Sequence, residues 1–104
     1  MDYKKQYLEL YLIQQAKIER LRDQMRINPK TVRRYRKKIR AAEKLRRRIE
    51  DSIDAVDGGI LSEVLSQRFL CGKSLEQIAL TLNYSKRHIE RLFIRAMEKF
   101  DIDI

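Results

Sequence analysis

Five charged side chains crowd one stretch near the C-terminus: Lys86, Arg87, Glu90, Arg91 and Arg95. Four of the five are basic. On a helix whose apolar residues are Ile89, Leu92, Phe93, Ala96, Met97 and Phe100, these charges fall on the opposite, solvent-facing side. Most of them sit in the N-terminal half of that helix. In a helix-turn-helix, that half of the second helix is the end that reaches base edges.

The preceding residues supply what such a helix needs. Ser74 is a good N-cap, because its hydroxyl can accept from an unpaired backbone N–H, and Gln77 three residues on completes a capping box. Leu75, Ile78, Ala79 and Leu82 then share one helical face. Asn83 stands where that helix must stop, and asparagine tolerates left-handed backbone. Ser85 caps the second helix. Two closely crossing helices need a small residue where they meet, and Ala79 supplies it. The turn follows four residues later at Asn83, and Ile89, ten after Ala79, plugs the same crossing. These spacings predict a helix-turn-helix over 74–100. A generic pair of amphipathic helices is the competing reading.

Three further elements are expected to frame this pair. Residues 3–27 read as a long helix with a stripe of Tyr7, Tyr11, Ile18, Leu21 and Met25. Leu8, Leu10, Leu12 and Ile13 widen that stripe at its start, so this end is expected to touch more than one neighbour. Asn28-Pro29 interrupts, with Asn28 as a cap and proline at the first helical position. A second long helix is expected from Pro29 to about Val56, with the stripe Val32, Tyr35, Ile39, Ala42, Ile49 and Ile53 and Arg46 intruding. The facing stripes suggest an antiparallel hairpin, and a kinked continuous helix competes with it. Asp57-Gly58-Gly59 is a break. Ile60, Leu61, Val64, Leu65, Phe69 and Leu70 mark a third helix, with Gly72 as its C-cap.

The chain has 104 residues and a formal net charge of +9. That balance favours a polyanionic partner, nucleic acid before membrane. The charge is uneven. Lys30 to Arg48 hold eleven Lys and Arg against the single acid Glu43, so the rest of the chain is close to neutral. Arg33, Arg34, Lys37, Lys38 and Arg40 in this run are expected to contact phosphate without reading sequence. A solvated helix face is the plainer alternative.

With three glycines and one proline, the chain leaves little room for sheet turns, and an all-α fold is expected. The lone cysteine, Cys71, makes no internal disulfide, suits a reducing cytosol, and reads as a small buried residue. No apolar run is long enough for a signal peptide or a membrane span. Enzyme chemistry is not expected, because no histidine–acid, metal-ligand or phosphate-loop pattern is present, and no cofactor or metal is expected. Gly72-Lys73-Ser74 lacks the first glycine of a P-loop.

From Leu61 to Phe100 the sequence resembles region four of bacterial sigma factors. The resemblance rests on Gln67-Arg68-Phe69-Leu70, Gly72, Ser74-Leu75-Glu76-Gln77-Ile78-Ala79, Ser85-Lys86-Arg87-His88-Ile89 and Arg95-Ala96-Met97-Glu98-Lys99-Phe100. Region four binds the −35 promoter element through its last helix. The whole chain resembles small phage and prophage proteins akin to the ArpU/RinA-type late-gene regulators, on Tyr7-Leu8-Glu9-Leu10-Tyr11, Ile49-Glu50-Asp51-Ser52-Ile53 and Leu82-Asn83-Tyr84-Ser85.

The resemblance implies that Lys86, Arg87, Glu90 and Arg91 read bases. Arg or Lys can donate to guanine O6 and N7, and Glu can accept from cytosine N4. It implies phosphate contacts from Ser85, His88 and Arg95, with Ser74, Lys73 and Arg68 as further candidates. The implied architecture is a coiled-coil-like dimerisation arm over 1–57 and a three-helix DNA-binding domain over 58–104. The implied protein is a homodimeric regulator of double-stranded DNA in a bacterial cytoplasm, with RNA polymerase as a further partner and no membrane. A small-terminase-like packaging protein and a polymerase- or sigma-binding module are the alternatives.

Overall fold

A computed structural model describes residues 3–56 and 58–102. It is all-helical, with no strand among the described residues. Two long helices form an N-terminal hairpin, and three shorter helices pack against its open end. Asp57 of the expected break, and Asp103 and Ile104 of the acidic tail, lie outside the described residues.

Helix α1 spans Tyr3–Ile27. Asn28 then leaves the helical region, and its side chain accepts a hydrogen bond from the Lys30 amide. The next turn, Pro29–Thr31, is a 3-10 turn closed by a hydrogen bond that the Thr31 amide donates to the Asn28 carbonyl, and α2 proper runs Val32–Asp54. The expected second helix thus begins with a tighter turn. Pro29 brings no N–H to that turn, and the Thr31 hydroxyl also donates to the Asn28 carbonyl at 2.7 Å.

The hairpin is antiparallel within one chain, which excludes the kinked continuous helix. Ile18, Leu21, Ile39 and Ala42 form a buried cluster flanked by Met25 and Tyr35. Each buried Ile or Leu there contributes roughly 1.5–3 kcal/mol. Arg46, which interrupts the α2 stripe, donates to Gln15 of α1. Arg22 and Glu43 pair across the helices at 3.8 Å.

The second core is larger and joins both halves of the chain. Leu8, Ile49, Ile53 and Val56 of the hairpin are buried together with Leu61, Val64, Leu65, Phe69, Ile78, Ile89, Ala96 and Phe100. The start of α1 therefore meets several neighbours, as its wide stripe suggests. The Tyr7 ring lies 6.3 Å from that of Phe100. Leu12 and Ile13 depart from the expectation, since both are exposed.

Helix α3 spans Ile60–Leu65 and continues as a π-helical turn over Ser66–Leu70. The widened turn advances each residue less around the axis, and Phe69 within it is buried in the same core as Leu61 and Leu65. Gly72 ends the element at φ 72°, with the Lys73 amide bonded to the Gln67 carbonyl. Cys71 is exposed, and so corrects the expectation of a buried thiol. The chain is already leaving the core there, immediately before the left-handed glycine.

Helix α4 spans Leu75–Leu82 and α5 spans Lys86–Lys99. The capping box of Ser74 and Gln77 is complete in both directions, at 3.2 and 2.8 Å. Asn83 takes the left-handed conformation at φ 61°, and the Tyr84 amide bonds the Ala79 carbonyl at 2.9 Å in a Schellman closure. Ala79 and Ile89 are both buried in the shared core.

Candidate nucleic-acid interface

Helix α5 has two fates for its residues. Ile89, Leu92, Ala96 and Phe100 are buried, which fixes the helix about its own axis. Lys86, Arg87, Glu90, Arg91 and Arg95 are all exposed on the remaining surface. The N-terminus is set by Ser85, whose hydroxyl accepts from the His88 amide at 3.1 Å. The C-terminus is held by Lys4 of α1, whose Nζ donates to the Met97 carbonyl at 3.0 Å. A cation at a helix C-terminus satisfies orphan carbonyls and complements the dipole.

The four expected base readers do not stand in equal environments. Lys86 Nζ donates to Glu76 Oε1 of α4 at 3.0 Å. The hydrogen bond to Glu76, followed by its charge, raises the Lys86 pKa above its ordinary value. Arg87, Glu90 and Arg91 make no ion pair and no side-chain hydrogen bond among the described residues. Three of the four thus present free donors or acceptors, while Lys86 is engaged in joining the starts of α4 and α5.

The expected phosphate contacts cluster nearby. Ser74 and Ser85 are the N-caps of α4 and α5, so each marks a helix start where backbone donors point outward. Lys73 Nζ lies 3.4 Å from the Thr81 hydroxyl and 3.5 Å from Gln67 Oε1. His88 is exposed and packs edge-on against Tyr84, with ring centroids 4.8 Å apart. Arg68 differs, being half-buried over the Phe69 ring and donating to the Lys73 carbonyl at 3.3 Å.

The basic run belongs to another part of the molecule. Arg33, Arg34, Lys37, Lys38 and Arg40 are exposed on α2, alongside the hairpin cluster of Ile39 and Ala42. Arg34 and Lys38 both lie over the Tyr35 ring, at 5.0 and 5.5 Å from its centre.

Two exposed apolar residues were missed by the sequence reading. Ile94 is 60% exposed, three residues after Arg91, and Tyr84 is 43% exposed beside His88. The legible signal was that Ile94 falls outside the apolar stripe of α5. Either side chain could meet a thymine methyl group. Beyond Ile94 a groove of about 750 Å³ opens between the start of α1 and the second half of α5. Its floor includes Leu75, Phe93 and Met97, and Lys4, Lys5 and Arg68 stand around it.

Among the described residues no cluster of His, Cys, Asp or Glu could hold a metal ion, and no helix is long and apolar enough to cross a membrane. Compared with known protein families, curated proteins and solved structures, the chain has no match.

Proposed function

We propose that this chain is a sequence-specific, double-stranded DNA-binding transcriptional regulator of the phage or prophage type. Helices α4 and α5 act as the helix-turn-helix. α5 enters the major groove, and α4 crosses the backbone. The observation that carries this reading is the exposed, unpaired set of Arg87, Glu90 and Arg91 at the N-terminal half of a helix whose other face is locked in the core. Arg87 and Arg91 are one helical turn apart and suit guanine, and Glu90 between them suits cytosine. Ser85, His88 and Arg95 fix the register on phosphate.

A homodimer fits this role, since paired half-sites multiply specificity. The stripes of α1 and α2 pack on one another within the chain, and a dimer through the N-terminal helices would use their outer faces. Exposed Tyr3, Leu12, Ile13 and Ile27 on α1 are among the apolar residues available to it. Selection from a randomised duplex pool tests the reading. An enriched motif that disappears in Arg87→Ala/Arg91→Ala supports it, and a pool without enrichment overturns it.

The rigid hairpin also suits a small-terminase-like packaging protein, in which long helices assemble rings. Light scattering separates the two, because a dimer fits the regulator and a ring of many chains fits packaging.

A further inference from the structure

One row of α2 stands apart from the rest of its charges. Arg33, Lys37, Arg40, Lys44 and Arg47 follow one another at alternating steps of four and three. Steps of that kind keep side chains on one line of a helix. The line lies opposite the buried Ile39, Ala42 and Ile49, and all five residues are exposed. It extends about 21 Å at 1.5 Å per residue. None of the five has an ion pair or a side-chain hydrogen bond among the described residues. The same 4-3 row continues into Asp51 and Asp54, so its sign reverses where α2 meets the larger core.

We propose that this row is a second nucleic-acid site, a ridge that binds the phosphate backbone of duplex DNA without reading sequence. It goes beyond the assignment of α5 and does not depend on it. Like charges three and four residues apart weaken a helix. Here four such pairs follow in succession, the one acid within the run, Glu43, is paired with Arg22 of α1, and a polyanion would relieve the remaining repulsion. One strand of duplex presents a phosphate every 3.4 Å along the axis, so about six lie within the length of the ridge.

The chemistry of the ridge selects among polyanions. A single strand is held by stacking its bases on aromatic rings, and the ridge has none. Tyr35, the aromatic residue of α2, lies on the other side, flanked by Arg34 and Lys38. A membrane-surface helix needs bulky apolar residues beside its charges, and the row carries none. Of the residues first expected to bind phosphate, Arg33, Lys37 and Arg40 belong to the ridge, and Arg34 and Lys38 do not. Lys44 and Arg47 join it.

The test measures binding of the full chain to a scrambled duplex across a range of salt concentrations. The wild type is compared with R33Q/K37Q/R40Q and with R34Q/K38Q, and circular dichroism checks that the exposed substitutions leave the helices intact. The logarithmic salt slope of the triple variant should be shallower by up to about 2.7, at roughly 0.9 per phosphate contact. R34Q/K38Q should change it much less. An unchanged slope in the triple variant would overturn the ridge. So would tighter binding to a single strand of equal length. The site preference reports α5 separately: its absence with an intact ridge effect would sink the α5 reading alone.

Discussion

The Tyr11 hydroxyl donates a 2.7 Å hydrogen bond to Oε1 of Glu50, joining α1 to α2 where the hairpin enters the larger core. Burial raises the Tyr11 pKa above its ordinary value of 10.0, and the bond to Glu50 raises it further. The folded state therefore favours the neutral phenol. A raised value means that the stabilisation is fully present below the unfolded pKa and is lost as pH climbs through the folded one. Urea denaturation should show the wild type losing stability above about pH 10 more steeply than Tyr11→Phe. Parallel curves for the two proteins would remove Tyr11 from this role.

Tyr7 is the opposite case. Its ring packs near Phe100, but its hydroxyl is buried without a hydrogen-bond partner among the described residues. An unsatisfied buried hydroxyl costs about 1–3 kcal/mol. Tyr7→Phe should leave stability unchanged or raise it by up to about 1 kcal/mol, as read by thermal melting. A clear loss would mean that the hydroxyl has a water partner.

Ser74 closes both halves of the capping box at the start of α4. Ser74→Ala should cost about 1 kcal/mol, and Ser74→Asp should restore most of it. If the alanine variant melted with the wild type, the cap would be contributing nothing to global stability.

Gly72 sits at φ 72°, and an added Cβ would approach the end of the Leu12 side chain at 3.3 Å. That side chain can move, so the left-handed backbone sets the penalty. Gly72→Ala should destabilise by about 1–2 kcal/mol. A companion Leu12→Ala should not rescue it, and rescue in a double-mutant cycle would show that crowding is the cause instead.

Arg91 and Lys86 should behave differently on DNA. Arg91→Ala removes a free donor and should relax discrimination at one base position by about 1–3 kcal/mol. Lys86→Ala also breaks the contact with Glu76, so it should weaken binding to most sites while sparing the preferred sequence. A selection in which Arg91→Ala keeps the wild-type motif would remove Arg91 from the reading set.

Local chemistry was the part of this molecule most legible in the sequence. Ser74, Gln77, Asn83 and Ser85 act through their immediate backbone neighbours, and each occupies the conformation its side chain favours. The hairpin was legible because Ile18, Leu21, Ile39 and Ala42 repeat at helical spacing on both sides of Asn-Pro. Packing between distant segments was less legible. Cys71 follows a π-helical turn, whose wider winding leaves no periodic mark in five residues, and it is exposed where the chain leaves the core. The engagement of Lys86 with Glu76 depends on how two helices meet, which spacing alone does not report. For the same reason Leu12 and Ile13 look like core residues and are exposed.

The bond from Lys4 to the Met97 carbonyl links residues 93 positions apart. It has a consequence for biosynthesis. α1 is made well before its partners on α5. At roughly 5–20 residues per second, the ribosome needs about 5–20 s to add what lies between them. During that interval Tyr7 has no Phe100 ring beside it, and Leu8 lacks the α5 part of its core. The larger core can therefore close only after α5 has been translated.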